Sequence, residues 1–328
     1  MASTAFVTGG SGFIGGKLIE RLVAEGTRVR ALARSESSAR RVEELGAEAV
    51  RGDLGDRASL AAGAAGCEVA FHLAAHLGEW GSWADFELGN VTGTNNALAA
   101  CAEAGVGRFV HCGTEAALMD GKPLVHIDET VPLRPDSRAP YSATKARAEL
   151  AVRGANRDGF ETVALRPRFV WGKGDTTLLP EMVKTVEAGK WAWVGGGRNV
   201  TDTAHVDNVV EGLLLAAERG RPGEAYFITD AEPVVFREFV TSMLETQGVE
   251  PPNRSLPGWT AAPMARVCEV AWKALPLPGD PPMTTFRSWL LTQECTIDIS
   301  KARTELGYSP IVTHEQGLAE LAGVRAGS

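Results

Sequence analysis

The chain has little of what marks a secreted, metal-built or membrane-spanning protein. Its five cysteines, Cys67, Cys101, Cys112, Cys268 and Cys295, are scattered, odd in number and without a C-x-x-C pair. That spacing offers neither a disulfide framework nor a zinc site, so no metal ligand set is expected. No apolar run approaches the ~18 residues needed to cross a bilayer. The opening stretch Met1–Val7 lacks the basic start and long apolar core of a signal peptide. A cytoplasmic, reducing setting is the simplest expectation. Basic clusters are missing as well, since Arg40–Arg41 is only a pair. With 33 Lys and Arg against 41 Asp and Glu, the net charge of -8 repels nucleic acid and anionic membrane, and neither is expected as a partner. No internal repeat or low-complexity tract is visible.

What is present reads as an ordinary globular protein. At 328 residues, 44% hydrophobic and 23% charged, the chain is long enough for two domains or one enlarged one. Short apolar runs at 5–8, 28–33, 49–52, 69–73, 109–112 and 162–165 alternate with helical patterns. Ile14, Leu18 and Leu22, for example, recur at the spacing of one helix face. Such alternation implies parallel strands joined by right-handed crossovers, an α/β doubly wound sheet. The second half is less regular. Helices are expected at 180–188, 207–218 and 236–245, and the Pro-rich stretch after Gly248 is expected to form loops. This divides the chain into a dinucleotide-binding part, 1–170, and a mainly substrate-binding lobe, 171–328, with some elements returning to the first. The Trp- and Ala-rich segment 259–273 is read as a helix over the core or cleft. Arg266, Glu269 and Lys273 interrupt its apolar surface, which weighs against a membrane contact.

The first strand runs into Gly9-Gly10-Ser11-Gly12-Phe13-Ile14-Gly15. Glycines at 9, 12 and 15 permit a tight turn, close approach of a pyrophosphate and close packing of helix on strand. The helix beginning near Phe13 would offer free N–H groups and the positive end of its dipole to the phosphates. An ordinary strand–helix turn is the alternative, but the position after a strand and before a helix favours a Rossmann dinucleotide site. At the end of the second strand an acid would select NAD, and an arginine a 2′-phosphate. The chain places Arg34 and Ser35 there, with Arg41 further on, so NADP(H) is the expected cofactor and NAD(H) the alternative. Asp53 and Leu54, after the third strand, are placed to reach the adenine.

Tyr141-Ser142-Ala143-Thr144-Lys145 sets a phenol and an ammonium four residues apart, on one helix face. A nearby cation lowers a phenol's pKa and makes Tyr141 a usable acid or base near neutrality. Thr114, after the fifth strand, would hydrogen-bond the oxygen that gains or loses the proton.

These motifs resemble the extended short-chain dehydrogenase/reductases, and most of all their 3β-hydroxysteroid dehydrogenase branch, including the bacterial 2-alkyl-3-oxoalkanoate reductases. The likeness extends to Asn90-Val91-Thr92-Gly93-Thr94, Arg166-Pro167-Arg168-Phe169-Val170-Trp171-Gly172, Asp202 to Asn208, Gly279 to Thr284 and Leu306 to Pro310. It implies hydride exchange between a nicotinamide and a ketone or secondary alcohol on a bulky apolar substrate. It also implies a homodimer formed through helices near 95–104 and 141–156. Leu73, Ala74, Ala75, Asn90, Pro167, Phe169 and Val170 would join the cofactor site. His76, Glu79 and Trp80 on one side, and Arg168 and Trp171 on the other, would meet the substrate. For Arg168 a local ion pair is the alternative. A nucleotide-sugar epimerase holding NAD tightly and a non-catalytic NADP-binding sensor are the competing functions. The sensor is disfavoured because both Tyr141 and Lys145 are present.

Overall fold

The computed structural model describes residues 2–275 and 277–325. The strands of the main sheet are β1 (Thr4–Thr8), β2 (Arg28–Ala33), β3 (Glu48–Arg51), β4 (Val69–His72), β5 (Arg108–Cys112), β6 (Glu161–Pro167) and β7 (Ala225–Ile228). Their order is β7-β6-β5-β4-β1-β2-β3, and every pairing is parallel. The crossover helices are α1 (Phe13–Ala24), α2 (Glu36–Glu44), α3 (Arg57–Ala64), α4 (Gly93–Glu103), α5 (Pro140–Gly154) and α6 (Val206–Arg219).

The strands alternate between two cores, as the two-residue period of a strand requires. Ala5 and Val7 of β1, with Val69 and Phe71 of β4, face Leu18 and Ile19 of α1 and Val209 and Leu213 of α6. Phe6, Ala70 and Phe109 point the other way, toward Leu60 of α3, Leu98 of α4 and Val152 of α5. Both faces are therefore covered, which is why the strands read as nearly unbroken apolar runs. The edge strand β7 adds to the sequence expectation, which places no strand at Ala225-Tyr226-Phe227-Ile228. All four residues are buried against β6 and α6.

The second lobe is built on a four-stranded sheet ordered Val234–Val235, Val200–Thr201, Cys295–Ile297 and Leu124–Ile127. Its aromatic core gathers Trp171, Trp193, Phe236 and Phe239. Asp230 ties this lobe to the main sheet. Its carboxylate accepts hydrogen bonds from Trp171 Nε1 (2.8 Å), Thr203 Oγ1 (2.7 Å), His205 N (2.6 Å) and Asn208 Nδ2 (2.7 Å). The Pro-rich stretch is less loop-like than its composition suggests. It contains helices α7 (Ala261–Ala274) and α8 (Thr285–Thr292), and Pro263 sits in the first turn of α7, where a missing N–H costs nothing. Among the described residues no helix is long and apolar enough to cross a membrane.

Candidate active site

The carboxyl ends of β1, β4, β5 and β6 open onto one crevice, the usual ligand position in a doubly wound sheet. At the end of β1, Gly9 has φ +77°, a left-handed conformation that glycine adopts without strain. A Cβ on Gly9 would lie 2.7 Å from Ala74 N, so the loop Leu73–Ala75 crosses directly over the turn. A Cβ on Gly15 would lie 2.1 Å from Gly9 O, so helix and turn touch backbone to backbone. Helix α1 begins after Gly12 with no side-chain cap and no acid in its first turn, which leaves its N–H groups and positive end open. Beside it Ser11, Gly12, Phe13, Lys17, Arg41 and Thr176 line a hollow of about 80 Å³. This cradle suits a pyrophosphate. Lys17 and the 174–176 loop carry no sequence signal for this place, because the loop arrives from the far side of the chain.

Arg34 is exposed just past the end of β2 and has no ion-pair partner among the described residues. Ser35 caps α2 by accepting from Ser38 N, and its hydroxyl also meets Ser37 Oγ at 2.9 Å. Asp53 is exposed and accepts from Gly55 N at 2.8 Å, while Leu54 packs where a Cβ on Gly93 would lie. Asn90, expected in the cofactor site, lies beside the crevice and is engaged with the protein. It is 2% exposed, and its amide is used on protein partners: Oδ1 accepts from His76 N at 2.7 Å, and Nδ2 donates to His76 O and Thr144 Oγ1. It therefore fixes the loop that borders the cofactor crevice.

Thr114 stands between β5 and the 3₁₀ turn Glu115–Leu118, where its oxygen accepts from Ala116 N. Tyr141 and Lys145 lie one turn apart on α5, and Phe286 of α8 meets the Tyr141 ring edge-on at 5.5 Å. Lys145 is 4% exposed and donates to Cys112 O at 3.1 Å. Burial lowers its pKa, against the opposing effects of Cys112 and Glu149. The expectation of a depressed Tyr141 is overturned. Burial, then Glu115 and Cys112, push the phenol well above its ordinary value, and only the Thr114 hydroxyl opposes them. Behind Lys145, His72 is braced between Thr8 Oγ1 (2.8 Å) and Thr94 Oγ1 (3.0 Å).

The residues expected at the substrate divide. Glu79 is latched to α8, accepting from Arg287 Nε at 2.7 Å and Thr284 Oγ1 at 3.1 Å. Trp80 lies under Lys273 Nζ at 5.7 Å, and His76 meets Phe86 edge-on. These contacts close one side of the crevice with α7 and α8. Arg168 is 1% exposed and pairs with Glu115 Oε1 at 2.5 Å, the local ion pair expected as the alternative to a substrate contact. Trp171 is 0% exposed, with its indole N–H held by Asp230, so it belongs to the lobe's core and has no surface to offer a ligand. Between them Phe169 has φ +43°, a strained turn that follows Pro167 and leads to Val170. A cavity of about 760 Å³, lined by Glu129, Leu133, Pro135, Arg166, Ala225 and Lys301 among others, includes none of Thr114, Tyr141 or Lys145.

A parallel seven-stranded sheet, a glycine cradle on its first turn and a tyrosine–lysine pair at its middle strands define a Rossmann-fold short-chain dehydrogenase/reductase. The family model described as "3-beta hydroxysteroid dehydrogenase/isomerase family" matches residues 6–258, and the chain belongs to that family. It is 48% identical to a 4-hydroxy-2-methyl-3-oxo-4-farnesyl-3,4-dihydroquinoline-1-oxide ketoreductase of Stigmatella aurantiaca, over 96% of this chain and 95% of the other. It is 39% identical to a 2-alkyl-3-oxoalkanoate reductase of Stenotrophomonas maltophilia, over 96% and 97%. Among solved structures, a dTDP-glucose 4,6-dehydratase of Streptomyces venezuelae with NAD bound superposes with a TM-score of 0.77 at 25% identity, covering 99% of this chain and 97% of the other. The protein is thus an oxidoreductase of ketone and alcohol substrates, and its glycine cradle fits a nicotinamide dinucleotide.

Proposed function

We propose that the protein is an NADP(H)-preferring reductase of a bulky, apolar ketone, with Tyr141, Lys145 and Thr114 as its catalytic residues. The observation that carries this reading is the convergence of Tyr141 and Lys145 on α5 with Thr114 and Cys112 at the end of β5. The nicotinamide would supply the hydride. Tyr141 would give its proton to the oxygen that becomes the hydroxyl. Tyr141 is protonated in this site, the form a reductase needs, and a bound cofactor's surroundings and Lys145 would have to favour release of that proton. Lys145 would hold the ribose and stabilise the phenolate left behind. Gly9, Ser11, Gly12, Phe13, Ile14 and Gly15 would seat the pyrophosphate, and Arg34 with Ser35 the 2′-phosphate.

An apolar substrate is supported by Phe286 beside Tyr141, by Trp80 and Phe169 at the crevice, and by the alkyl and farnesyl ketones named for the two relatives. A homodimer through α4 and α5 is supported by Leu150 of α5, exposed by 47%, and by Leu88 in the turn of helix that leads into α4, exposed by 61%. The test follows absorbance of reduced nicotinamide across alkyl 3-oxoacids, prenylated quinoline ketones and 3-ketosteroids, for wild type and Tyr141→Phe. Turnover of at least one apolar ketone is expected, with a loss of about 10²–10⁴-fold in the variant, the usual contribution of a general acid. Wild-type turnover in Tyr141→Phe would overturn the mechanism.

A further inference from the structure

Helix α7 turns an apolar stripe to the outside. Its Ala261 and Ala265 are buried, whereas Val267 and Val270 are exposed by 69% and 66%, and Trp259, just before the helix, by 79%. Pro263, Val267, Val270 and Ala274 follow the three- and four-residue steps of one helix face, and all four are exposed. Leu275 and Leu277 extend the apolar surface past the last turn. Large apolar side chains are ordinarily exposed singly, so this run between Trp259 and Leu277 marks an interaction surface.

The charges around the stripe are sorted. Arg266 and Lys273, seven residues apart, lie on one flank of α7, are exposed, and have no ion-pair partner among the described residues. Glu269, which interrupts the segment in the sequence, is turned inward. Its Oε1 accepts from Thr285 N at 2.6 Å and its Oε2 from Thr285 Oγ1 at 3.0 Å, both at the start of α8. Asp280 lies beyond the stripe, in the loop whose Gly279 carbonyl accepts from Trp272 Nε1. The outward face of α7 therefore presents apolar groups and two cations with no acid between them. This reverses the expectation drawn from the sequence, where the three charges seemed to break the apolar surface alike.

We propose that α7 and its flanking residues dock the protein on a phospholipid surface, with the helix lying in the plane of the headgroups. At 14 residues α7 is too short to cross a bilayer, and its layout is that of an interfacial helix. The apolar stripe would enter the acyl boundary, Trp259 would sit at headgroup level, and Arg266 and Lys273 would reach anionic headgroups through their long stems. A second copy of the chain fits this face less well, because the face carries no acid to meet those two cations. The net charge of -8 opposes an anionic surface at long range, but salt screens that repulsion beyond about 8–10 Å, and at contact the local cations decide. The position of the stripe gives docking a use. Phe286 of α8 meets Tyr141, and Lys273 lies over Trp80, so the docked face borders the catalytic crevice. An apolar ketone dissolved in lipid would have a short path to it. That use rests on the substrate class proposed above; the docking does not.

The test is flotation of the full chain with vesicles of mixed phosphatidylcholine and phosphatidylglycerol, and of phosphatidylcholine alone. The protein should float with the mixed vesicles and less with the neutral ones. Val267→Glu/Val270→Glu changes only exposed positions and should abolish flotation. Arg266→Gln/Lys273→Gln should weaken binding to the mixed vesicles by roughly fivefold for each cation and leave binding to the neutral ones unchanged. Brominated acyl chains should quench tryptophan fluorescence, and Trp259→Phe should remove most of that quenching. Flotation with neither vesicle, flotation that survives Val267→Glu/Val270→Glu, or quenching indifferent to Trp259→Phe overturns the proposal. Self-association without lipid that the same double glutamate variant abolishes would assign the face to a second copy and overturn it as well. None of these readouts uses turnover, so failure of the proposed reductase activity would leave them standing.

Discussion

The Lys145 ammonium lies 3.1 Å from the carbonyl oxygen of Cys112, so the buried cation of α5 is anchored to the last residue of β5. No carboxylate stands within ion-pair distance of Lys145 among the described residues. Lys145→Met should therefore cut turnover and weaken cofactor binding, yet leave the melting temperature equal or higher, since a desolvated charge is removed. Calorimetry and a cofactor titration test this together. Unchanged cofactor affinity would exclude Lys145 from holding the ribose.

Arg34 is exposed beside the Ser35–Ser38 cap and has no ion-pair partner among the described residues. A charge-assisted hydrogen bond contributes about 1.5–3 kcal/mol, or roughly ten- to a hundredfold in affinity. Arg34→Ala should weaken NADPH binding by that factor and leave NADH binding nearly unaltered. Equal losses for both cofactors, measured by fluorescence titration, would make Arg34 an ordinary surface residue and return the preference to NAD(H).

Gly15→Ala should destroy the cradle, because its Cβ would lie 2.1 Å from Gly9 O. Overpacking costs about 1–3 kcal/mol, and here the displaced atoms are backbone on both sides. Cofactor binding should be lost and the melting temperature should fall. Gly154→Ala is the control. It lies at the end of α5, and a Cβ added there would meet nothing within 4 Å, so it should be neutral or slightly stabilising. Retained cofactor binding in Gly15→Ala would contradict the close approach.

His72 and His111 stack with ring centroids 5.5 Å apart behind Lys145. Burial, then Lys145, lowers the His72 pKa from 6.5 to about 3. Burial, Lys145 and His72 together hold His111 well below its ordinary value. Both therefore stay neutral in the fold. Below pH 6.5 the unfolded chain takes up protons that the folded one refuses, so stability rises with pH from about 3 to 6.5 and is lost as pH falls through that window. The slope approaches about 1.4 kcal/mol per pH unit for each histidine. Neither ring nitrogen of His111 has a hydrogen-bond partner among the described residues. His111→Leu should thus flatten the acid side of the urea midpoint against pH, and an unaltered slope would absolve His111.

The sequence by itself determined the features whose physics is local. The turn Gly9–Gly15 is legible because three glycines between a strand and a helix constrain the backbone within seven consecutive residues. The Tyr141–Lys145 pair is legible because residues four apart share a helix face. The parallel sheet follows from apolar runs alternating with helix periodicity.

Tertiary structure decided what joins distant stretches. Arg168 meets Glu115 across 53 positions, and Glu79 meets Arg287 across 208, so no spacing in the chain announces either. Trp171 looks like a ligand contact beside Pro167, but Asp230, 59 residues on, draws its indole into the core. Ala225–Ile228 is as long and as apolar as the run 109–112, and only its pairing with β6 shows it to be the edge strand of the sheet. The proton affinity of Tyr141 reverses for the same reason. The neighbouring lysine is visible in sequence, whereas burial and the Glu115 carboxylate act only once the fold has excluded water and brought β5 against α5.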